Sequence, residues 1–150
     1  MTEYTKIDTI FERDMEGTKK IEGKYRSETV EYLKDNRWIG TEKIDGTNIG
    51  IFWDGHSVSY QGRTERAQIP GHLMDKLAEM FGGTVNEELF EQKFGQMQVI
   101  LFGEGYGPRI QKGGGKYRDD ASFILFDVYL PQKNLWMKRD AVEDIAKTFG

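Results

Sequence analysis

Lys43 is the residue of this chain best placed to do chemistry. It stands in the run Thr41-Glu42-Lys43-Ile44-Asp45-Gly46-Thr47-Asn48, at the expected end of a strand, in an apolar sequence context and directly before a glycine turn. A lysine amine attacks phosphorus only in its neutral form, and at the ordinary lysine pKa of about 10.4 almost all of it is protonated at neutral pH. Desolvation or a nearby cation favours the neutral amine; the carboxylates of Glu42 and Asp45, if close, favour the charged one. The same residues also suit a salt-bridged surface lysine in a hairpin, the usual place for a lysine. Glu104 is the second candidate, a carboxylate at the end of an apolar strand segment between Gly103 and Gly105, a costly position unless the charge is paired. Third come Arg109, Lys112, Lys116 and Arg118, four cations within ten positions around Gly113-Gly114-Gly115. Backbone amides in such a loop can face phosphate, and a solvated basic loop fits equally well. The loop lacks the Gly-Lys-Ser/Thr ending of a P-loop. His56 and His72 show no metal-ligand spacing.

Composition bounds what these residues can serve. At 150 residues the chain is about one domain's worth, long enough to bury a core without a disulfide or metal. Nine Phe, seven Tyr and three Trp make it too aromatic for a disordered chain, and 31% charged residues make it too polar for a membrane one. No apolar stretch approaches the roughly 20 residues that span a bilayer, and the start lacks the blocks of a signal peptide, so an intracellular, cytoplasmic protein with no membrane partner is expected. The absence of cysteine excludes disulfides, thiolate metal sites and cysteine nucleophiles; any metal must bind oxygen or histidine. A net charge of −4 argues against nucleic-acid binding by bulk attraction but leaves room for a local basic groove.

The elements that must position these groups are legible in outline. Residues 1 to 25 read as a polar surface arm, and Ser27 caps a short helix to about Asn36. Trp38 to Asp45, Thr47 to Trp53 and Ser57 to Gln61 read as strands of an antiparallel meander, with Asp54-Gly55 as the hairpin turn. A helix opens after Pro70-Gly71 with Leu73, Leu77, Met80 and Phe81 on one face, and a second runs from Asn86 to Phe94. Gln98 to Glu104 and Ser122 to Leu130 are apolar enough for buried strands, Asn134 to Met137 suits one more, and a final helix is capped at Asp140, with Val142, Ile145, Ala146 and Phe149 inward.

Four blocks in this order carry a family resemblance. Lys43-Ile44-Asp45-Gly46-Thr47-Asn48 resembles motif I of the covalent nucleotidyltransferases, Lys-x-Asp-Gly-x-Asn. Gln61-Gly62-Arg63-Thr64 resembles motif Ia. Leu101-Phe102-Gly103-Glu104-Gly105-Tyr106-Gly107, continuing into Ile110-Gln111-Lys112, resembles motif III, and Phe123-Ile124-Leu125-Phe126-Asp127 resembles motif IIIa. The Phe-Gly-Glu block followed by Gly-Pro and Ile-Gln-Lys is similar to phage-type RNA ligases of the type-2 group, over about residues 35 to 130. The resemblance implies an α+β fold, a mainly antiparallel sheet with flanking helices, whose strands carry the nucleotide. It implies that Lys43 takes AMP from ATP and passes it to RNA bearing a 5′-phosphate, which a 3′-hydroxyl end then attacks. Glu42 would contact the adenine, Asp45, Gly46 and Asn48 would line the pocket as motif I, and Arg63 would meet the ribose or phosphate region. Glu104 would hold the ribose hydroxyls or a metal-bound water, Phe126 would stack on the adenine, and Asp127 would support the pocket. Magnesium or manganese is the implied cofactor, and Lys112, Lys116 and Arg118 are implied RNA or phosphate contacts.

The family's downstream elements have no counterpart here. Motif IV, a Glu-Gly-x-Val strand with a metal-binding carboxylate, and motif V, a Lys-x-Lys strand, match nothing in 135–150. The chain is therefore expected to be the C-terminally incomplete front part of an adenylyltransferase domain, with a further segment carrying motifs IV and V as its partner. A nucleotide- or RNA-binding module and an inactive fragment are the other readings. A DNA ligase or a capping guanylyltransferase would share the lysine chemistry.

Overall fold

A computed structural model describes residues 2–150. The chain forms two compact units: Thr5–Lys43, and Ile44–Gly150 joined by the start of the chain through Tyr4. The first is a small two-stranded sheet and one helix. Strands β1 (Phe11–Arg13) and β2 (Lys20–Tyr25) pair antiparallel. Their turn is built by Asp14, whose side chain accepts the amides of Thr18 at 2.8 Å and Lys19 at 3.2 Å, with Gly17 in the left-handed region at φ 70°. Phe11 and Tyr25 pack across the strands at 5.4 Å. Helix α1 (Glu28–Leu33) is capped by Ser27, whose hydroxyl accepts the Val30 amide at 3.2 Å.

Two expectations change here. The polar arm contains a hairpin, because the Asp14 turn supplies locally what the exposed, charged strand Lys20–Tyr25 lacks in apolar alternation. The segment from Trp38 to Asp45 is not a strand. Trp38 is 54% and Ile39 90% exposed, and the Trp38 indole donates to the Leu33 carbonyl at 2.9 Å. Strand propensity becomes a strand only with a neighbour to pair with, and this segment has none.

The second unit holds a five-stranded antiparallel sheet in the order β4-β3-β5-β6-β7: β3 (Thr47–Trp53), β4 (Val58–Gln61), β5 (Val99–Tyr106), β6 (Ser122–Leu130) and β7 (Leu135–Trp136). Asp54 closes the β3–β4 hairpin by accepting the His56 and Ser57 amides, both at 2.8 Å, with Gly55 at φ 103°. One face of the sheet presents Ile49, Ile51, Trp53, Val99, Leu101, Val128 and Leu130 to the core. Helices α2 (Gly71–Phe81), α3 (Gly83–Phe94) and α4 (Arg139–Phe149) complete that core with Leu73, Leu77, Phe81, Phe90, Val142 and Ile145. Burial of residues of this size contributes about 1.5–3 kcal/mol each. Trp53 stacks on Phe90 at 5.4 Å, and its indole donates to the Gly95 carbonyl at 3.0 Å. Helix α3 begins earlier than Asn86, at Gly83, and α4 takes Lys138 rather than Asp140 as its N-cap. Asp140 lies in the first turn of α4, where its carboxylate accepts the Ala141 amide and suits the positive end of the helix.

Candidate functional site

The other face of the sheet carries the chemistry. Alternation along the strands turns Asn48 and Gly50 of β3, Phe102 and Glu104 of β5, and Gln61 of β4 away from the helices. Asn48 and Glu104 are direct register partners, as are Gly50 and both Phe102 and Gln61. Directly opposed residues share a face with their side chains in reach, so an amide and a carboxylate stand side by side on adjacent strands.

The turn before β3 is tied to this face. The Gly46 amide donates to Glu104 Oε1 at 3.2 Å, Gln111 Nε2 donates to the Gly46 carbonyl at 3.1 Å, and the Asp45 amide donates to the Tyr117 hydroxyl at 3.2 Å. Position 46 tolerates only glycine, because a β-carbon there would lie 2.1 Å from the Gly105 carbonyl oxygen. Glu104 is half-buried and bonded to the turn, which answers the cost of placing a carboxylate at the end of a buried strand.

Phe126 owes its position to a bulge. Pairing of β5 with β6 runs Phe102 with Asp127 and then Gly103 with Leu125, so Phe126 is the extra residue. A bulge of this kind re-aims a side chain. Leu125 joins the core, whereas Phe126 turns to the open face and meets the Tyr4 ring at 4.9 Å. Tyr4 also packs on Phe102 at 5.1 Å and Trp136 at 5.6 Å, and its hydroxyl donates to Asp127. Burial first, then the hydrogen bond and charge of Asp127, push the Tyr4 phenol well above its ordinary pKa. At the β4 edge of the sheet, Gln61 Nε2 donates to the Thr2 carbonyl at 2.9 Å. The first residues of the chain therefore cross the site face, a feature the sequence reading did not anticipate.

The remaining candidates fall into two groups. Arg63, just past β4, is exposed and forms no ion pair among the described residues. Lys112 and Lys116 are exposed on the glycine loop, where Gly114–Lys116 forms a single 3₁₀ turn, and Arg118 is held by Asp120 at 2.7 Å. Glu42 and Lys43 belong to the other compact unit, of which Lys43 is the last residue, and both side chains are exposed. Lys43 thus stands outside any strand and unburied, contrary to the expectation of a desolvated strand-end lysine. The second unit brings together Asp45, Gly46, Asn48, Glu104 and, by the bulge, Phe126. Among the described residues, no group of three or more His, Asp or Glu is gathered as a metal cage.

Comparison with solved structures shows what this architecture is. A Naegleria gruberi RNA ligase mutant with AMP and Mn matches with a TM-score of 0.55 at 20% identity, over 70% of this chain and 30% of that one. Another mutant of the same ligase with ATP and Mn matches at 0.53 and 20% identity, over 70% and 29%, and that ligase with PPi at 0.55 and 20%, over 72% and 32%. The fold is that of part of an RNA-ligase nucleotidyltransferase, and the chain spans about 30% of the length of those proteins. The family model for RNA ligase matches residues 36–150, and the chain belongs to the RNA ligase family. Comparison with curated proteins found no match.

Proposed function

We propose that this chain carries the lysine-bearing part of an ATP-dependent RNA ligase of the phage-type branch and that Lys43 is the residue that takes AMP. The observation that carries the reading is the convergence of two motifs on one sheet face: the Asp45-Gly46 turn and Asn48 from motif I, and Glu104 from motif III, joined by the 3.2 Å bond from Gly46 to Glu104. The Naegleria ligase structures with ATP, AMP, PPi and Mn support ATP as the nucleotide. The Phe-Gly-Glu block with Gly-Pro and Ile-Gln-Lys supports the phage-type branch and RNA as the acceptor.

In this reading the Lys43 amine attacks the α-phosphorus of ATP. A P–N bond forms, the bond to the bridging oxygen of the β-phosphate breaks, pyrophosphate leaves, and the amine loses its proton. Attack uses the neutral amine, so the exposed lysine has to leave bulk water when the nucleotide binds. Glu104 accepts from the ribose hydroxyls while it holds Gly46, and Phe126 offers a half-buried ring to the adenine, a contact of about 1–3 kcal/mol. Arg63 supplies a forked donor to ribose or phosphate oxygens. AMP then moves to the 5′-phosphate of RNA, and a 3′-hydroxyl displaces it.

The oxygens of Asn48 and Glu104, side by side in register, suit magnesium or manganese, which takes few protein ligands and keeps waters and phosphate oxygens. A bound metal would supply charge neutralisation at the phosphates. A segment with motifs IV and V is the proposed source of the remaining phosphate and metal groups, and Lys112, Lys116 and Arg118 are proposed contacts for RNA phosphates. The experiment is labelling with ATP or GTP, followed by a chase with RNA or DNA 5′-phosphate ends. Transfer from ATP to RNA supports the proposal; a GTP or DNA preference makes the chain a capping-type or DNA-ligase relative; binding of ATP with no covalent label makes it a binding module.

A further inference from the structure

We propose that Tyr117 is a positioning residue for the reaction of Lys43, acting through the Asp45 amide; this rests on the function proposed above. Among the described residues three hydrogen bonds hold the turn that follows Lys43, and two of them act on Gly46, whose amide donates to Glu104 and whose carbonyl accepts from Gln111. Among the described residues the Tyr117 bond alone acts on Asp45, two residues from the lysine and 72 positions away from Tyr117 in the chain. A tyrosine on an exposed loop has no need of such a partner, since water would satisfy its hydroxyl. The bond costs the loop its freedom and restrains the backbone that leads to Lys43.

The loop is built to present this hydroxyl. Gly114 packs so closely on Gly107 that a β-carbon at 114 would lie 1.9 Å from the Gly107 carbonyl oxygen, and the Tyr117 amide closes the turn on the Gly114 carbonyl at 3.2 Å. The Tyr117 ring stands edge-on to Tyr106 at 5.9 Å. The next residue, Arg118, donates to Asp120 at 2.7 Å. Tyr106 is itself on β5, two residues beyond Glu104, so one strand positions the carboxylate and the aromatic that together frame the turn.

The glycine loop thus acts as a latch on the lysine's turn.

The test is Tyr117→Phe, which keeps the ring on Tyr106 and removes the hydroxyl that accepts from the Asp45 amide. Single-turnover formation of the AMP adduct should slow about threefold to tenfold at saturating ATP, the loss of one hydrogen bond. The ATP concentration at half-saturation and the melting temperature should stay close to those of the unsubstituted chain. Hydrogen exchange at the Asp45 amide should accelerate in the same variant. An unchanged rate, or a loss that follows weaker ATP binding or a lower melting temperature, overturns the inference and leaves the ligase reading standing. Failure to form any Lys43-dependent adduct even with a segment supplying motifs IV and V present, and with the Asp45 amide still protected by Tyr117, overturns the ligase reading itself and the inference with it.

Discussion

Gly46 lies so close to Gly105 that a β-carbon at position 46 would sit 2.1 Å from the Gly105 carbonyl oxygen. The turn after Lys43 is therefore packed backbone to backbone against the strand that carries Glu104. Gly46→Ala should force the turn off β5 and destabilise the protein by roughly 1–3 kcal/mol, as overpacking does. Urea denaturation of the two proteins checks the size, and loss of adduct formation beyond the fraction unfolded checks the functional part.

Glu104 has two tasks in this account, holding the Gly46 amide and meeting the ribose. Glu104→Ala removes a charged acceptor worth about 1.5–3 kcal/mol, so adduct formation should fall roughly tenfold to a hundredfold. Glu104→Gln keeps an acceptor oxygen for Gly46 and should fall less. Equal losses in the two variants would place the whole effect on charge rather than on the turn.

Tyr4 ties pH to stability. Its phenol is raised above the ordinary value of 10.0 by burial, then by the hydrogen bond to Asp127 and the charge there. A raised pKa in the folded state means that the stabilising contact is fully present below about pH 10 and is lost as pH rises through the folded value. Stability should be flat across neutral pH on this account and decline above pH 10. Tyr4→Phe should lower stability at neutral pH and flatten the alkaline decline, leaving the part due to Tyr60, which burial and Glu87 also raise. Thermal melts from pH 7 to 11 read both effects.

Tyr60 presents the opposite case. Its hydroxyl is buried with no hydrogen-bond partner among the described residues, close to the backbone of Gly82. Removing an unsatisfied polar atom relieves its desolvation cost, so Tyr60→Phe should stabilise the protein by about 1 kcal/mol. A rise in melting temperature of about 2–4 °C is expected.

The parts of the fold legible in the sequence are those with local signals. Asp54-Gly55 marked the β3–β4 hairpin, and the leucines of α2 marked its buried face. The β1–β2 hairpin escaped because Lys20–Tyr25 is almost wholly exposed and its turn depends on one carboxylate, that of Asp14. Trp38 and Ile39 read as a strand and form none, because no strand pairs with them. On the open sheet face, Asp45, Gly46, Asn48, Glu104 and Phe126 are residues that the motif resemblance singled out, whereas Tyr4 and Tyr117, which bond beside them, belong to none of the residues it singled out. Their partners, Asp127 and Asp45, lie 123 and 72 positions away, and no local pattern carries such a pairing.

The central claim is that Lys43 becomes covalently adenylylated. Intact-protein mass spectrometry after incubation with ATP and magnesium tests it most directly, with Lys43→Ala alongside. The account predicts a gain of one AMP that is discharged by added pyrophosphate and absent from Lys43→Ala. An adduct that persists in Lys43→Ala, or no adduct on Lys43 even when a segment supplying motifs IV and V is present, would contradict it.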